Sequence, residues 1–115
     1  MKGRRAYLGL LLASLASADE PRLQCDIGPI KRVFGSVPWF VYACRDGESL
    51  VILSPPDSPA SPFYFVLSSQ GKHHQVRGEG AESNAVTEAA RKDLEALSSS
   101  DIVGLLRDAR LADKH

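Results

Sequence analysis

The hydrophobic pattern changes its period near Ser83, and this change constrains the fold more than any other feature of the chain. Before it, short apolar and β-branched runs are separated by Gly, Pro and Asp, which is typical of strands. After it, Val86, Ala90 and Leu94 recur at helical spacing, and Ser98 can cap a second apolar stripe. The chain therefore predicts an α+β fold: an antiparallel sheet of four to five strands, followed by a C-terminal pair of amphipathic helices packed on one face.

A β-hairpin is predicted around Asp46-Gly47, which lies between the apolar runs 39–44 and 49–53. Asp-Gly favours a two-residue hairpin loop because both of its residues tolerate positive φ. Such a loop fixes the register of the two strands. That register opposes Arg45 with Glu48, Tyr42 with Val51 and Phe40 with Leu53.

The flanking segments complete the predicted sheet. Residues 23–34 form a strand that Gly28-Pro29 interrupts, which indicates a bulge or an edge position. Residues 54–62 contain four prolines and predict a stiff, extended connection. Residues 63–68 form a further strand, and residues 73–79 form a more polar one that we expect at the sheet edge.

Residues 1–18 have the pattern of a signal peptide. Three basic residues precede about ten small and apolar ones, and Ala16-Ser17-Ala18 supplies a cleavage site before Asp19. An apolar core of that length spans only about 15 Å as a helix, too short for a stable membrane anchor. We therefore expect an exported protein, periplasmic or secreted, that consists of a single domain at 19–115 without stable membrane insertion; Arg4-Arg5 leaves twin-arginine export open.

The two cysteines, Cys25 and Cys44, remain after cleavage of the leader. An even cysteine count in an exported protein predicts a disulfide, and the two residues lie too far apart for the closely spaced thiols of a metal or redox site. A turn near Phe34-Gly35 would bring Cys25 across from Cys44. We expect a structural bond.

Composition excludes two classes of protein. The apolar fraction of 43% and a formal charge of zero, from 14 basic and 14 acidic residues, are far from the values of disordered chains. Cleavage of the predicted signal peptide removes three basic residues and no acidic one. The remaining chain has 11 basic and 14 acidic residues and a formal charge of −3. Because no basic excess exists to neutralise phosphates, we expect no nucleic-acid partner.

No catalytic or metal-binding motif is recognisable. Ser54, Ser58 and Ser61 lie among prolines and the serines at 98–100 lie at the predicted helix start, and no serine has a base at a recognisable spacing. His73 and His74 are adjacent on a predicted strand, so their side chains point to opposite faces and cannot share one ion. We expect no catalytic residue, no metal and no cofactor.

Both faces of the predicted hairpin are apolar, whereas two short helices can cover only one. Phe40, Tyr42, Val51 and Leu53 share one face, and Trp39, Val41, Leu50 and Ile52 share the other. We expect the Trp39 face to be uncovered and to form an interface, with the proline loop residues Pro55, Pro56 and Asp57 as a rigid recognition segment. The reverse assignment of faces is the alternative, as is burial of the Trp39 face under residues 23–34 and the proline loop. For the proline loop at 54–62, the alternative is a passive spacer between two strands.

These expectations point to a non-enzymatic, exported module that binds another protein, either as an inhibitor-like molecule or by self-association into a homodimer. A carrier that holds a small apolar ligand between sheet and helices is the alternative. An apolar cavity in the core would favour the carrier. A filled core with an uncovered apolar face would favour the binding module.

Overall fold

The computed structural model describes residues 23–80 and 83–114. It has a five-stranded antiparallel sheet whose strand order follows the chain, and two C-terminal helices, which confirms the predicted α+β fold. The predicted signal peptide at 1–18 and the expected N-terminus at Asp19 lie outside the described residues. The strands are β1 (Ile27–Phe34), β2 (Val37–Ala43), β3 (Leu50–Leu53), β4 (Phe63–Gln70) and β5 (His73–Gly80); the helices are α1 (Ala85–Glu95) and α2 (Ser99–Asp113).

The β2–β3 hairpin has the predicted register, with Phe40 opposite Leu53 and Tyr42 opposite Val51. Its loop is wider than the expected two residues: the outermost backbone bond runs from Cys44 N–H to the carbonyl of Ser49 at 2.9 Å. The loop is held by Asp46, whose carboxylate accepts hydrogen bonds within the loop and from Ser49.

The predicted pair of Arg45 with Glu48 is consequently wrong. The Arg45 guanidinium instead makes two 2.9 Å bonds to the carboxylate of Asp26. Asp26 precedes β1, on the segment that the disulfide joins to Cys44. The fork of the guanidinium matches both carboxylate oxygens there.

The β1–β2 hairpin turns at Gly35 and Ser36, which both have positive φ, 60° and 70°. This pair of values is typical of a two-residue type I′ hairpin turn. The register shifts between Ile27 and Ile30, so the predicted irregularity at Gly28-Pro29 is confirmed, and β1 is an edge strand. The predicted disulfide between Cys25 and Cys44 is also present.

The proline loop is folded, and the expectation of an extended connection is wrong. Two successive turns are closed by hydrogen bonds from Ser58 N–H to the Pro55 carbonyl and from Ser61 N–H to the Ser58 carbonyl, each 3.0 Å. Pro56 and Pro59 therefore occupy the second position of a turn, where the fixed φ of proline fits best. Ala60 reaches the hydrophobic core.

Both helices begin with a capping box, at Asn84 and at Ser98, as the sequence indicates for Ser98. Their buried residues pack on one face of the sheet, where the small side chains of Ala90 and Ala109 are fully buried. A salt bridge of 2.9 Å from Arg32 on β1 to Asp108 on α2 flanks this layer.

The core fills the space between the sheet and the helices. The Trp39 ring lies 5.4 Å from the Phe65 ring, and its indole N–H donates to the Phe34 carbonyl at 3.0 Å. Trp39 thus satisfies its one polar group while it is wholly enclosed. A large aromatic side chain with an internal hydrogen-bond partner is stable in such a core.

The expected assignment of sheet faces is therefore reversed. Trp39, Val41, Leu50 and Ile52 are each 0% exposed and lie beneath the helices. These four residues are therefore not available for the exposed interface that was expected on them. The physical reason is that the same face carries Phe65 and Leu67 on β4, whereas the opposite face carries the charged residues of β5.

Candidate functional site

We call the sheet face that is turned away from the helices the open face. Strand register places two rows of side chains across it. The Leu53 row crosses all five strands and consists of Lys31, Phe40, Leu53, Tyr64 and Glu79. The Val51 row crosses four strands and consists of Tyr42, Val51, Val66 and Arg77.

The middle of the open face is apolar and reaches solvent. Leu53 and Tyr64 are each 37% exposed, and Phe40, Tyr42 and Val51 are partly exposed. Full burial of a side chain of this size contributes about 1.5–3 kcal/mol to folding, so the exposed fraction of each side chain in this group forgoes a share of that stabilisation. Contiguous apolar patches with polar margins are typical of protein interaction sites.

The margins of the open face carry charges. On β1, Lys31 Nζ lies 5.6 Å from the centroid of the Phe40 ring. On β5, Arg77 Nε lies 3.4 Å from Glu79 Oε2. An aromatic and aliphatic centre with a charged rim is the usual composition of a protein–protein interface.

The N-terminal segment extends the open face beside the Val51 row. Leu23 and Cys25 line a depression of about 540 Å³ together with Val51, Tyr64 and Val66. Leu23 is itself 42% exposed. Sequence reasoning did not assign Leu23 to this surface, because the course of the chain before β1 depends on the disulfide rather than on strand alternation.

That segment is fixed by several contacts around the disulfide. Arg45 N–H donates to the Gln24 carbonyl at 2.8 Å, and the Arg45 side chain pairs with Asp26. The hydrogen bond from the Arg45 guanidinium lowers the pKa of Asp26. The disulfide and the ion pair thus hold residues 24–26 against the β2–β3 loop.

The other residues predicted for an interface are not brought onto one surface. The Trp39 set lies in the core, as described. Pro55 is buried, whereas Pro56 and Asp57 are exposed in the first turn of the proline loop. The turn structure replaces the expected extended recognition segment.

His73 and His74 occupy opposite faces, as the alternation on β5 predicts. His74 lies on the helix side, where its Nε2 is 2.9 Å from the Leu94 carbonyl, and His73 is exposed. Within 23–80 and 83–114, His, Cys, Asp and Glu side chains form no group of three that could hold a metal ion.

Lowered carboxyl pKa values occur where a local structural contact explains each one. At Asp101, the N–H of the helix cap Ser98, followed by its hydroxyl, lowers the pKa. At Asp46, burial raises the pKa, but the hydroxyl of Ser49 and the amides of Glu48 and Ser49 outweigh it and lower the pKa. These groups cap a helix and close a loop.

Two solvent-open depressions lie at the margins of the helix layer. One, of about 260 Å³, is lined by residues that include Glu48, His73 and His74. The other, of about 430 Å³, is lined by residues that include Arg32 and Asp108. Both therefore expose charged or titratable groups together with apolar ones.

Two further findings bear on function. In the part of the chain that the structure describes, neither helix has the length and apolar character needed to cross a bilayer. Comparison of the chain with protein-family models, with curated proteins and with solved structures finds no match.

Proposed function

We propose that this chain is a non-enzymatic, disulfide-stabilised module that binds another protein through the open face. The observation that carries the proposal is the Leu53 row, whose apolar centre stays in solvent while the equivalent residues of the opposite face are fully buried. Burial against a partner recovers the hydrophobic free energy that the isolated fold leaves unused.

The filled core favours this function over a ligand carrier. Trp39 and Phe65 occupy the centre of the sheet–helix layer, and both are 0% exposed. A carrier requires an apolar cavity large enough for its ligand, typically about 300 Å³ or more, with mostly apolar walls. The depressions at the helix margins carry Glu48, Arg32 and Asp108 in their walls instead.

An exported location is part of the same proposal. The pattern of residues 1–18 supports it, and the Cys25–Cys44 disulfide is compatible with it because such bonds persist in oxidising compartments. The partner would then be a protein of the cell envelope or the medium.

The proposal is tested by capture with matched variants. The purified, oxidised protein and its Leu53→Lys and Val103→Lys variants are immobilised and exposed to envelope extract of the producing cell. Val103 lies on α2 and is 60% exposed, so its variant adds the same charge on a different surface.

Capture of a protein by the parent chain and the Val103→Lys variant, with loss in the Leu53→Lys variant, is the expected result. Circular dichroism confirms that each variant is folded. Equal capture by all three proteins would locate binding elsewhere and refute the role of the open face.

A further inference from the structure

The charges of the Leu53 row are arranged with opposite signs at equal distances from its centre. Leu53 lies on β3, the third of five strands, with Phe40 and Tyr64 on the strands beside it. Lys31 lies at the β1 end of the row, and Glu79 lies at the β5 end. The row is therefore positive, aromatic, aliphatic, aromatic and negative in order.

This order is complementary to itself. A two-fold axis that lies between two sheets and runs parallel to β3 reverses the order of the strands in the facing copy. Leu53 then meets Leu53 of the second copy, and Phe40 meets Tyr64. Each Lys31 meets a Glu79, so both ends of the row form pairs of opposite charge.

We propose that the occupant of the open face is a second copy of this chain, packed face to face about that axis. This inference rests on the proposed function, because it names the partner of the same surface. The Val51 row follows this symmetry at its centre, where Val51 meets Val51 of the second copy. The result is a β-sandwich of two sheets about 10 Å apart, in which the two copies of β3 run parallel to the axis and to each other.

The size of the open face limits the affinity of the dimer. Five strands about 4.8 Å apart give a width of about 20 Å, so the contact belongs to the small class of specific interfaces. Such a contact forms a dimer with a dissociation constant in the micromolar range, about 1 µM or weaker.

The charges at the two ends of the Leu53 row allow a test for the dimer, because Lys31 and Glu79 of a single chain cannot form the contact that the dimer forms. Lys31 and Glu79 are separated by four strand spacings, about 19 Å, and cannot pair within the same sheet. Charge reversal at one position places like charges opposite each other in the dimer. Reversal at both positions restores opposite charges only if Lys31 of one copy faces Glu79 of the other.

The test is sedimentation equilibrium of the purified, oxidised protein from about 5 to about 500 µM, a range that brackets the affinity of a small interface. The variants are Lys31→Glu, Glu79→Lys, their double variant, Leu53→Lys and the control Val103→Lys. Circular dichroism and thermal melting confirm that each variant is folded before its mass is measured.

The parent chain and the Val103→Lys variant are expected to dimerise alike. Each single reversal is expected to weaken dimerisation by about tenfold, because two contacts per dimer become repulsive, and the double variant regains most of this loss. Leu53→Lys places two like charges on the axis and is expected to abolish the dimer over the whole range.

A parent chain that stays monomeric up to the highest concentration overturns the inference, and so does a dimer that Leu53→Lys leaves unchanged. If the parent chain dimerises but the double variant dimerises no better than the single reversals, the proposed axis is wrong. A monomer that captures an envelope protein through Leu53 would refute the second copy as partner, yet it would uphold the proposed function, so the two failures are distinguishable.

Discussion

The backbone N–H of Gly35 donates a hydrogen bond to Oδ2 of Asp93 at 2.6 Å, and this bond joins the β1–β2 turn to helix α1. Gly35 has a φ of 60°, and a Cβ added to it would lie 2.5 Å from the Ala90 nitrogen. The turn therefore approaches the helix backbone more closely than any side chain permits. This contact helps to fix α1 on the Trp39 face and leaves the opposite face open.

Gly35→Ala is expected to lower the free energy of unfolding by about 2–4 kcal/mol, because left-handed strain adds to a clash with the helix backbone. Gly71→Ala is the matched control: its φ is 66°, and an added Cβ meets no atom within 4 Å. The control should lose only about 1 kcal/mol. Urea denaturation measures both values, and equal losses would contradict the close approach of Gly35 to α1.

Ile52 and Leu53 are adjacent on β3 and test which face of the sheet is covered. Ile52 is 0% exposed and Leu53 is 37% exposed. Ile52→Lys buries an unpaired charge and is expected to cost more than about 4 kcal/mol, enough to unfold much of the protein. Leu53→Lys is expected to cost about 1 kcal/mol or less. Thermal melting of dilute protein decides between them, and the reverse order would show that the faces are exchanged.

Loss of the Cys25–Cys44 bond is expected to destabilise the fold by about 3 kcal/mol, because it releases a loop with a sequence separation of 19 residues. The double serine variant should therefore melt at a lower temperature while it still binds its partner. A reducing agent should lower the melting temperature of the parent chain and leave that of the serine variant unchanged. Selective loss of binding in a folded serine variant would indicate a functional thiol.

Acid is expected to weaken the β2–β3 loop through Asp46. Its pKa lies below the ordinary value of 3.8 in the folded state, so the ionised carboxylate stabilises the fold above pH 3.8 and loses this effect as the pH falls through its folded pKa. Asp46→Asn removes the charge and should cost about 1 kcal/mol at neutral pH. Urea denaturation of both proteins from pH 7 to pH 2.5 measures the difference, which should shrink below pH 3.8. A difference independent of pH would rule out this contribution.

Local sequence signals are sufficient to predict the hairpin register, the disulfide and the start of α2. Asp46-Gly47 between two apolar runs leaves one register that pairs Tyr42 with Val51. The turn after Phe34 returns β1 along β2, and the segment before β1 then lies close enough to the end of β2 for Cys25 to bond Cys44. Each inference depends on residues close in the chain, where alternation and turn chemistry suffice.

The covered face could not be read from the hairpin alone, because alternation shows which residues share a face but not which face the helices cover. The deciding residues are on other strands. If the register is continued to β5, Arg77 and Glu79 fall on the same face as Val51 and Leu53. Charges on a covered face would be costly to bury, so they identify the open one.

Proline content alone is a misleading signal for the proline loop, because it predicts an extended chain where the loop is folded into turns. The spacing of Pro56 and Pro59 instead places each at the second position of a four-residue turn. The burial of Ala60 within the second turn depends on contacts with the core and has no local sequence signal.

The proposed function requires that protein covers the open face in the cell. Site-specific photocross-linking tests it most directly, with benzoylphenylalanine in place of Tyr64 on the open face or of Val103 on α2, in intact cells that produce the protein. We predict an adduct from position 64 and none from position 103, with the mass of the adduct identifying a second copy or another protein. Equal cross-linking at both positions, or none at position 64 in a folded chain, would contradict the claim.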